Sequence, residues 1–208
     1  MTNKVKVALD RIAKAAKLNN NQIFMGHSGG KDSTVIYDLT KKVLGKDFRV
    51  VHNIKPMLGT SGNKVGALTE MHSETLQFLY TKVCPTHPVL FLHSSEMERL
   101  LKIYDTKCQI DGSRLCEYTR EGKSSEFIKN GKSVSRSEMT EYIENGIFGL
   151  NMCYPIFDWS DYEVFEYIDK NNLIISEEYF IPSHAGNGHS IKSEWQLYCE
   201  GRSDHECN

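Results

Sequence analysis

The sequence predicts an α/β chain: a doubly wound, mostly parallel sheet with helices on both faces, followed by a loop-rich C-terminal tail. Three observations predict it. Short apolar runs of strand length alternate with longer segments whose apolar residues recur at helical spacing, the pattern of a parallel sheet covered on both sides. A glycine-rich loop sits between the first such run and the next helix, where open α/β sheets hold their ligands. The 208 residues are 39% hydrophobic and 25% charged, enough for one globular domain with its own core.

Val5, Leu9, Ile12 and Ala16 recur at helical spacing, so the first segment is a helix ending near Asn19-Asn20-Asn21. Gln22-Ile23-Phe24-Met25 is too short for a helix and is bounded by Gly26, which predicts a buried strand. After the glycine loop, a helix is predicted from Thr34 to about Gly45, then a strand over 48–54 and a long helix over 65–83. Residues 89–93 read as a third strand, 96–104 as a helix and 107–111 as another strand. The polar stretch 119–136, with Gly122 and Gly131, is a long loop or a hairpin turning at Asn130-Gly131. Tyr154-Pro155-Ile156-Phe157-Asp158-Trp159 leads into Ser160-Asp161-Tyr162-Glu163, a capping-box pattern opening a helix with Val164 and Ile168 on one face. A Trp beside a helix cap anchors that helix, so Asp158 and Trp159 are expected to be structural. The glycines, prolines and charges from Pro182 onward predict a mobile tail, 182–208, within a single domain spanning 1–208. No internal repeat is present.

The formal charge of −2 gives no electrostatic reason to expect tight nucleic-acid binding. No apolar run approaches a membrane span, and the opening residues run into an amphipathic pattern rather than a signal-peptide core, so a cytoplasmic location without a membrane partner is expected. Cys84, Cys108, Cys116, Cys153, Cys199 and Cys207 are scattered without a C-x-x-C pair, which predicts reduced thiols. His184, His189, Cys199, His205 and Cys207 match no zinc-ligand spacing, so polar loop residues are the preferred reading there.

Ser28-Gly29-Gly30-Lys31-Asp32-Ser33-Thr34 carries the chemistry. A loop between a buried strand and a helix brings successive backbone N–H groups and a helix N-terminus to one point. Gly29 and Gly30 permit the backbone angles that let those groups converge on an anion. Ser28, Ser33 and Thr34 add hydroxyls, and Lys31 adds a full positive charge. Asp32 would repel phosphate by itself, so it either caps the helix or contacts a magnesium ion bridging the phosphates. The alternative is a plain glycine turn with ordinary capping residues. Neither G-x-x-x-x-G-K-[ST] nor G-x-G-x-x-G is present, which excludes a Walker A loop and argues against a dinucleotide fingerprint.

His27-Ser28-Gly29-Gly30-Lys31-Asp32-Ser33 resembles the PP-loop of adenine nucleotide alpha hydrolases. Three later segments resemble the phosphoadenylyl sulfate (PAPS) reductase-like branch of that superfamily. They are His72-Ser73-Glu74-Thr75, then Asp111-Gly112-Ser113-Arg114 with Glu117 and Arg120, then Tyr154-Pro155-Ile156-Phe157-Asp158-Trp159-Ser160 with Val164 and Tyr167-Ile168. The resemblance implies an adenine nucleotide, PAPS or ATP, with its phosphates in the glycine loop and chemistry next to the α-phosphate. It places Gly112, Arg114 and Arg120 at the nucleotide as well. Arg114 suits this because a guanidinium pairs bidentately with phosphate or sulfate oxygens, the alternative being a local surface pair with Glu117.

The end of the chain, Gly201-Arg202-Ser203-Asp204-His205-Glu206-Cys207-Asn208, is similar to the tail of PAPS reductases, whose cysteine attacks sulfur. By that resemblance Cys207, Lys31 and Arg114 are the expected catalytic residues, and thioredoxin or glutaredoxin the expected reductant. Arg202 and His205 would favour the Cys207 thiolate, and the alternative is a frayed terminus. The complete S-G-G-K-D-S string resembles instead the members that split ATP with magnesium. The cysteine pairs that hold an iron–sulfur cluster in adenylyl sulfate reductases are missing, so no cluster is expected. Three functions follow: a sulfonucleotide reductase releasing adenosine 3′,5′-bisphosphate and sulfite, an adenylylating ATP pyrophosphatase acting on a nucleic acid or small molecule, and a nucleotide-binding regulatory protein without turnover. A homodimer is compatible with each.

Overall fold

The computed structural model describes residues 2–54, 73–93, 96–118, 122–181 and 192–201. Helix α1 (Thr2–Leu18) precedes β1 (Ile23–Gly26), α2 (Lys31–Leu44) and β2 (Arg49–Ile54). Helix α3 (Ser73–Phe78) runs into a π-helical turn, Leu79–Val83, before β3 (Val89–His93), α4 (Met97–Ile103) and β4 (Cys108–Ile110). A hairpin of β5 (Lys123–Lys129) and β6 (Lys132–Ser135) follows, then β7 (Tyr142–Ile143), β8 (Asn151–Cys153), α5 (Asp161–Lys170) and α6 (Glu194–Cys199). No helix among the described residues is long and apolar enough to cross a membrane.

The six-stranded sheet has the order β3-β2-β1-β4-β8-β7. Its strands are parallel except β7, which pairs antiparallel to β8 at the edge. Side-chain alternation explains why β1 is apolar throughout: Ile23 and Met25 face one layer and Phe24 the other. On the first face Ile23, Met25, Val50, Cys108, Ile110 and Cys153 pack with α1, α2, α5 and the turn carrying Leu79 and Val83. On the second, Phe24, Val51 and Met152 pack under Met97 and Leu101 of α4 and under Phe127 and Val134 of the hairpin. The sheet is thus covered on both faces, as the sequence predicts.

Several boundaries differ from expectation. Helix α2 begins at Lys31 rather than Thr34, because Thr34 N–H already donates to the Gly30 carbonyl (3.0 Å). The polar stretch is a hairpin, with Asn130 and Gly131 at φ 51° and 73°, as a two-residue primed turn requires. Strands β7 and β8 were not legible in the sequence. Asn151-Met152-Cys153 has no β-branched residue and is a strand because it completes the ladder of β4, Cys108 opposite Asn151 and Ile110 opposite Cys153. Only the part of the second long helix from Ser73 lies within the described residues.

The segment expected to be a tail carries helix α6. It opens with a Ser193/Gln196 capping box and packs Trp195 and Tyr198 against Phe165 of α5 and Phe180 of the turn Glu177–Phe180. Trp159 is fully buried, and Asp158 is tied to α1 by Arg11 at 2.5 Å, the structural roles expected of both.

Candidate functional site

The strand order places the site. From β1 the chain winds outward through α2 to β2 and β3 on the first face, then returns across the second face through α4 to β4. Winding reverses between β1 and β4, and open α/β sheets hold their ligands outside the carboxyl ends of the strands at such a switch point. The glycine loop leaves β1 there, and Asp111-Gly112-Ser113-Arg114 leaves β4. The two loops touch: a Cβ on Gly112 would lie 3.2 Å from the Asp32 carbonyl carbon, a crowded crossing that favours glycine. Asp111 Oδ1 accepts from the Ser113 N–H (2.9 Å) and hydroxyl (2.6 Å), which fixes the turn.

Gly29 has φ 91°, open to glycine, and a Cβ there would stand 2.7 Å from Thr75 Cγ2. The Ser73-Glu74-Thr75 segment is thereby brought to the loop, while His72 lies outside the described residues. Gly30 is the N-cap of α2, in extended conformation, so Asp32 is not the cap: it sits in the first turn, where a carboxylate meets the positive end of the helix. Ser33 and Thr34 turn their hydroxyls onto the Gly30 carbonyl, each at 2.9 Å, and Ser28 Oγ lies 3.1 Å from Ser33 Oγ. The loop amides are engaged from within the protein. Gly29 N–H donates to His27 Nδ1 (3.1 Å), Gly30 N–H to Ser28 Oγ (3.3 Å) and Lys31 N–H to the Tyr179 hydroxyl (3.0 Å).

Behind the loop lies a buried charge cluster drawn from four elements. Lys31 Nζ stands 3.2 Å from Glu194 on α6, 3.4 Å from Asp161 on α5 and 3.6 Å from Asp32. Arg114, 1% exposed, pairs through Nε with Asp32 (2.7 Å) and through a terminal nitrogen with Asp161 (2.6 Å), with Glu117 farther off at 3.5 Å. Its other nitrogen donates to the Trp159 carbonyl (3.3 Å) and reaches Cys116 Sγ at 3.2 Å. The structure therefore places Arg114 in a buried network rather than in the local surface pair with Glu117.

Burial by itself disfavours the charged form of both cations. For Lys31 the attraction of Asp32, Asp161, Glu194 and the Tyr179 hydroxyl outweighs it and raises the pKa. For Arg114, Asp32 and Asp161 do the same. Both remain charged. Glu117 moves upward, chiefly through burial and against the Arg114 N–H it accepts. The Tyr179 hydroxyl is pushed up to about 12 by burial, so it meets the loop as a neutral phenol.

Arg120, Arg202, Cys207, His184, His189 and His205 lie outside the described residues. Cys84, Cys108, Cys116, Cys153 and Cys199 are free thiols. Among the described residues no group of His, Cys, Asp or Glu side chains forms a ready metal cage. Sequence reasoning gave no separate role to Asp161, Tyr179, Glu194 or His27. Asp161 had a signal, as the residue after a capping serine, and His27 heads the loop string itself; Tyr179 and Glu194 are brought in by chain return and carry none.

No family model and no curated protein matches this sequence. Among solved structures the chain is similar to FMN adenylyltransferase from Candida glabrata, at 12% identity over 99% of this chain and 74% of that one, TM-score 0.58. Yeast FAD synthetase in complex with FAD matches at 13% identity over 90% and 65% of the two chains, TM-score 0.61. The NH3-dependent NAD synthetase of Campylobacter jejuni matches at 13% over 83% and 73%, TM-score 0.52. The shared property is the fold, the adenine nucleotide alpha hydrolase-like α/β architecture.

Proposed function

We propose that this protein is an ATP-dependent adenylyl-transferring enzyme: an acceptor attacks the α-phosphorus of ATP, and the bond to the β-phosphate bridging oxygen breaks to release pyrophosphate. The observation that carries the reading is the complete Ser28–Ser33 loop at the β1/β4 switch point with a charged Lys31 at its base. Pyrophosphate leaves as a polyanion, and a fixed ammonium together with helix-terminal amides stabilises the charge that develops on it. The Candida glabrata FMN adenylyltransferase, similar in fold, is known in complex with ATP and in complex with FAD and inorganic pyrophosphate, which is compatible with this reading.

Arg114 serves here by holding Asp32 and Asp161, and through them Lys31, rather than by direct contact with phosphate. Asp32 and Asp161 are each paired with a cation, so the donor set fits magnesium carried by the nucleotide rather than an all-protein cage. When bound, magnesium would neutralise phosphate charge, and Asp32 would be the loop carboxylate to contact it.

A second reading keeps the sulfonucleotide chemistry: the Gly201-Arg202 and Glu206-Cys207 tail favours it. There the Cys207 thiolate would attack the sulfur of PAPS, forming a Cys207 S-sulfonate as the bond to adenosine 3′,5′-bisphosphate breaks. A dithiol reductant would then attack Cys207 Sγ, expel sulfite and be oxidised to a disulfide as its second thiol restores the cysteine. Two assays decide. Pyrophosphate formation from ATP and magnesium with candidate acceptors, lost by at least ~100-fold in Lys31→Ala, supports adenylyl transfer. A sulfonate mass gain on the reduced protein with PAPS, absent in Cys207→Ser, supports the reductase and overturns it.

A further inference from the structure

His27 is an odd residue for its position. It directly follows the buried strand β1, the residue is 2% exposed, and its ring packs beside Tyr37 and Phe78 at centroid distances of 5.7 and 6.2 Å. An aliphatic side chain would fill such a place without carrying two ring nitrogens out of water. One of those nitrogens, Nε2, is buried and has no hydrogen-bond partner among the described residues. What histidine adds is its other nitrogen: Nδ1 accepts the Gly29 N–H at 3.1 Å. The residue is held at each remaining polar atom. Its own N–H donates to the Val51 carbonyl (2.9 Å), and its carbonyl accepts from His52 Nδ1 (2.7 Å).

We propose that His27 is a positioning residue of the glycine loop, its Nδ1 lone pair gripping the Gly29 amide so that the anion cradle begins at Gly30. This deepens the nucleotide reading above and rests on it for its ligand. The grip differs in kind from the other two in the loop. The Gly30 and Lys31 amides are met by the Ser28 hydroxyl and the Tyr179 hydroxyl, which can rotate or move away when phosphate arrives. Gly29 is met by a buried ring on a rigid strand end, so its amide stays turned inward and its φ of 91° is fixed. Burial and the neighbouring His52 hold the His27 pKa down to about 3, so the acceptor lone pair persists across the range in which nucleotide binding is measured. An imidazole held neutral in this way positions the loop and does not transfer protons.

The test compares His27→Asn, whose Oδ1 takes the place of Nδ1, with His27→Phe, which fills the space and accepts nothing. Amide hydrogen exchange at Gly29 reads the grip without any ligand. Protection should survive in the asparagine variant and fall in the phenylalanine variant, and equal protection in both overturns the proposal. ATP and adenosine titrations by calorimetry read its consequence. ATP should bind His27→Phe about tenfold more weakly than wild type, near wild-type strength in His27→Asn, and adenosine should be indifferent, since one hydrogen bond's worth of preorganisation acts only on phosphate. Equal losses of ATP and adenosine in His27→Phe would mean a general packing defect and sink the positioning role. If wild type binds no adenine nucleotide, the nucleotide reading fails, while the exchange result still decides whether His27 holds Gly29.

Discussion

Asp161 is the residue on which both buried cations converge: 2.6 Å from Arg114 and 3.4 Å from Lys31, with its side chain almost wholly out of water. Removing one partner of a buried pair leaves the other charge desolvated and uncompensated, which typically costs about 3–5 kcal/mol. Asp161→Asn keeps the shape and removes the charge, so urea unfolding should show a loss of roughly 3 kcal/mol at neutral pH. A loss below about 0.5 kcal/mol, the level of a surface pair, would mean that the cluster is solvated in solution. His27 gives a pH prediction of known sign. Its folded pKa is lowered to about 3 from 6.5, chiefly by burial. Between those values the unfolded chain binds a proton that the folded chain does not, so His27 stability is intact above the unfolded pKa and is lost as pH falls toward 3. The slope from this one group is about 1.4 kcal/mol per pH unit. Denaturant melts between pH 6 and 4 should therefore be flatter in His27→Asn than in wild type by roughly that amount per unit. Parallel curves would show that His27 takes up a proton while the protein remains folded.

Among the elements, α5 shows how a sequence signal and a site residue coincide. Ser160 Oγ accepts the Glu163 N–H at 3.2 Å, and Glu163 reaches back to the Ser160 N–H at 2.8 Å, the reciprocal box read from the sequence. The next residue in the chain is Asp161, so the box that starts the helix also orients the carboxylate that binds Arg114. Ser160→Ala should cost about 1 kcal/mol of stability, as N-cap deletions do. It should also weaken ATP binding severalfold, because Asp161 would no longer be fixed. A stability loss with unchanged nucleotide affinity would separate the cap from the site. The elements legible beforehand were those with a local cause: the amphipathic α1, the apolar β1, the Asn130-Gly131 turn and this capped helix. Strands β7 and β8 and helix α6 were not, since their reason for existing is a partner elsewhere in the chain: Asn151 against Cys108, Tyr142 against Cys153, Trp195 against Phe165.

At the scale of the whole molecule, the glycine loop was legible because its residues are contiguous, and its surroundings were not because they arrive from the far end of the chain. Tyr179 and Glu194 follow the loop by well over a hundred residues in sequence, yet both meet Lys31, one at its amide (3.0 Å) and one at its ammonium (3.2 Å). A phenol oxygen on a helix-terminal N–H and a carboxylate on an ammonium are the contacts a phosphate would make there. The Tyr179 oxygen would also lie 3.1 Å from a Cβ placed on Gly30, so it stands over the cradle itself. On the ATP reading proposed above, an incoming polyphosphate would displace the turn Glu177–Phe180 and the first turn of α6 from the loop, and the affinity for ATP would be reduced by the free energy of those contacts. Removing them should strengthen binding. The double variant Tyr179→Phe, Glu194→Gln should bind ATP about tenfold more tightly than wild type, the lost hydrogen bond and the lost ion pair contributing somewhat under about 1 kcal/mol each. Adenosine, which makes no demand on Lys31, should bind both proteins equally. Isothermal titration of the two ligands against the two proteins is sufficient. Weaker ATP binding by the double variant would reverse the interpretation: the C-terminal contacts would then be part of the nucleotide site, closing on the phosphates instead of standing in for them.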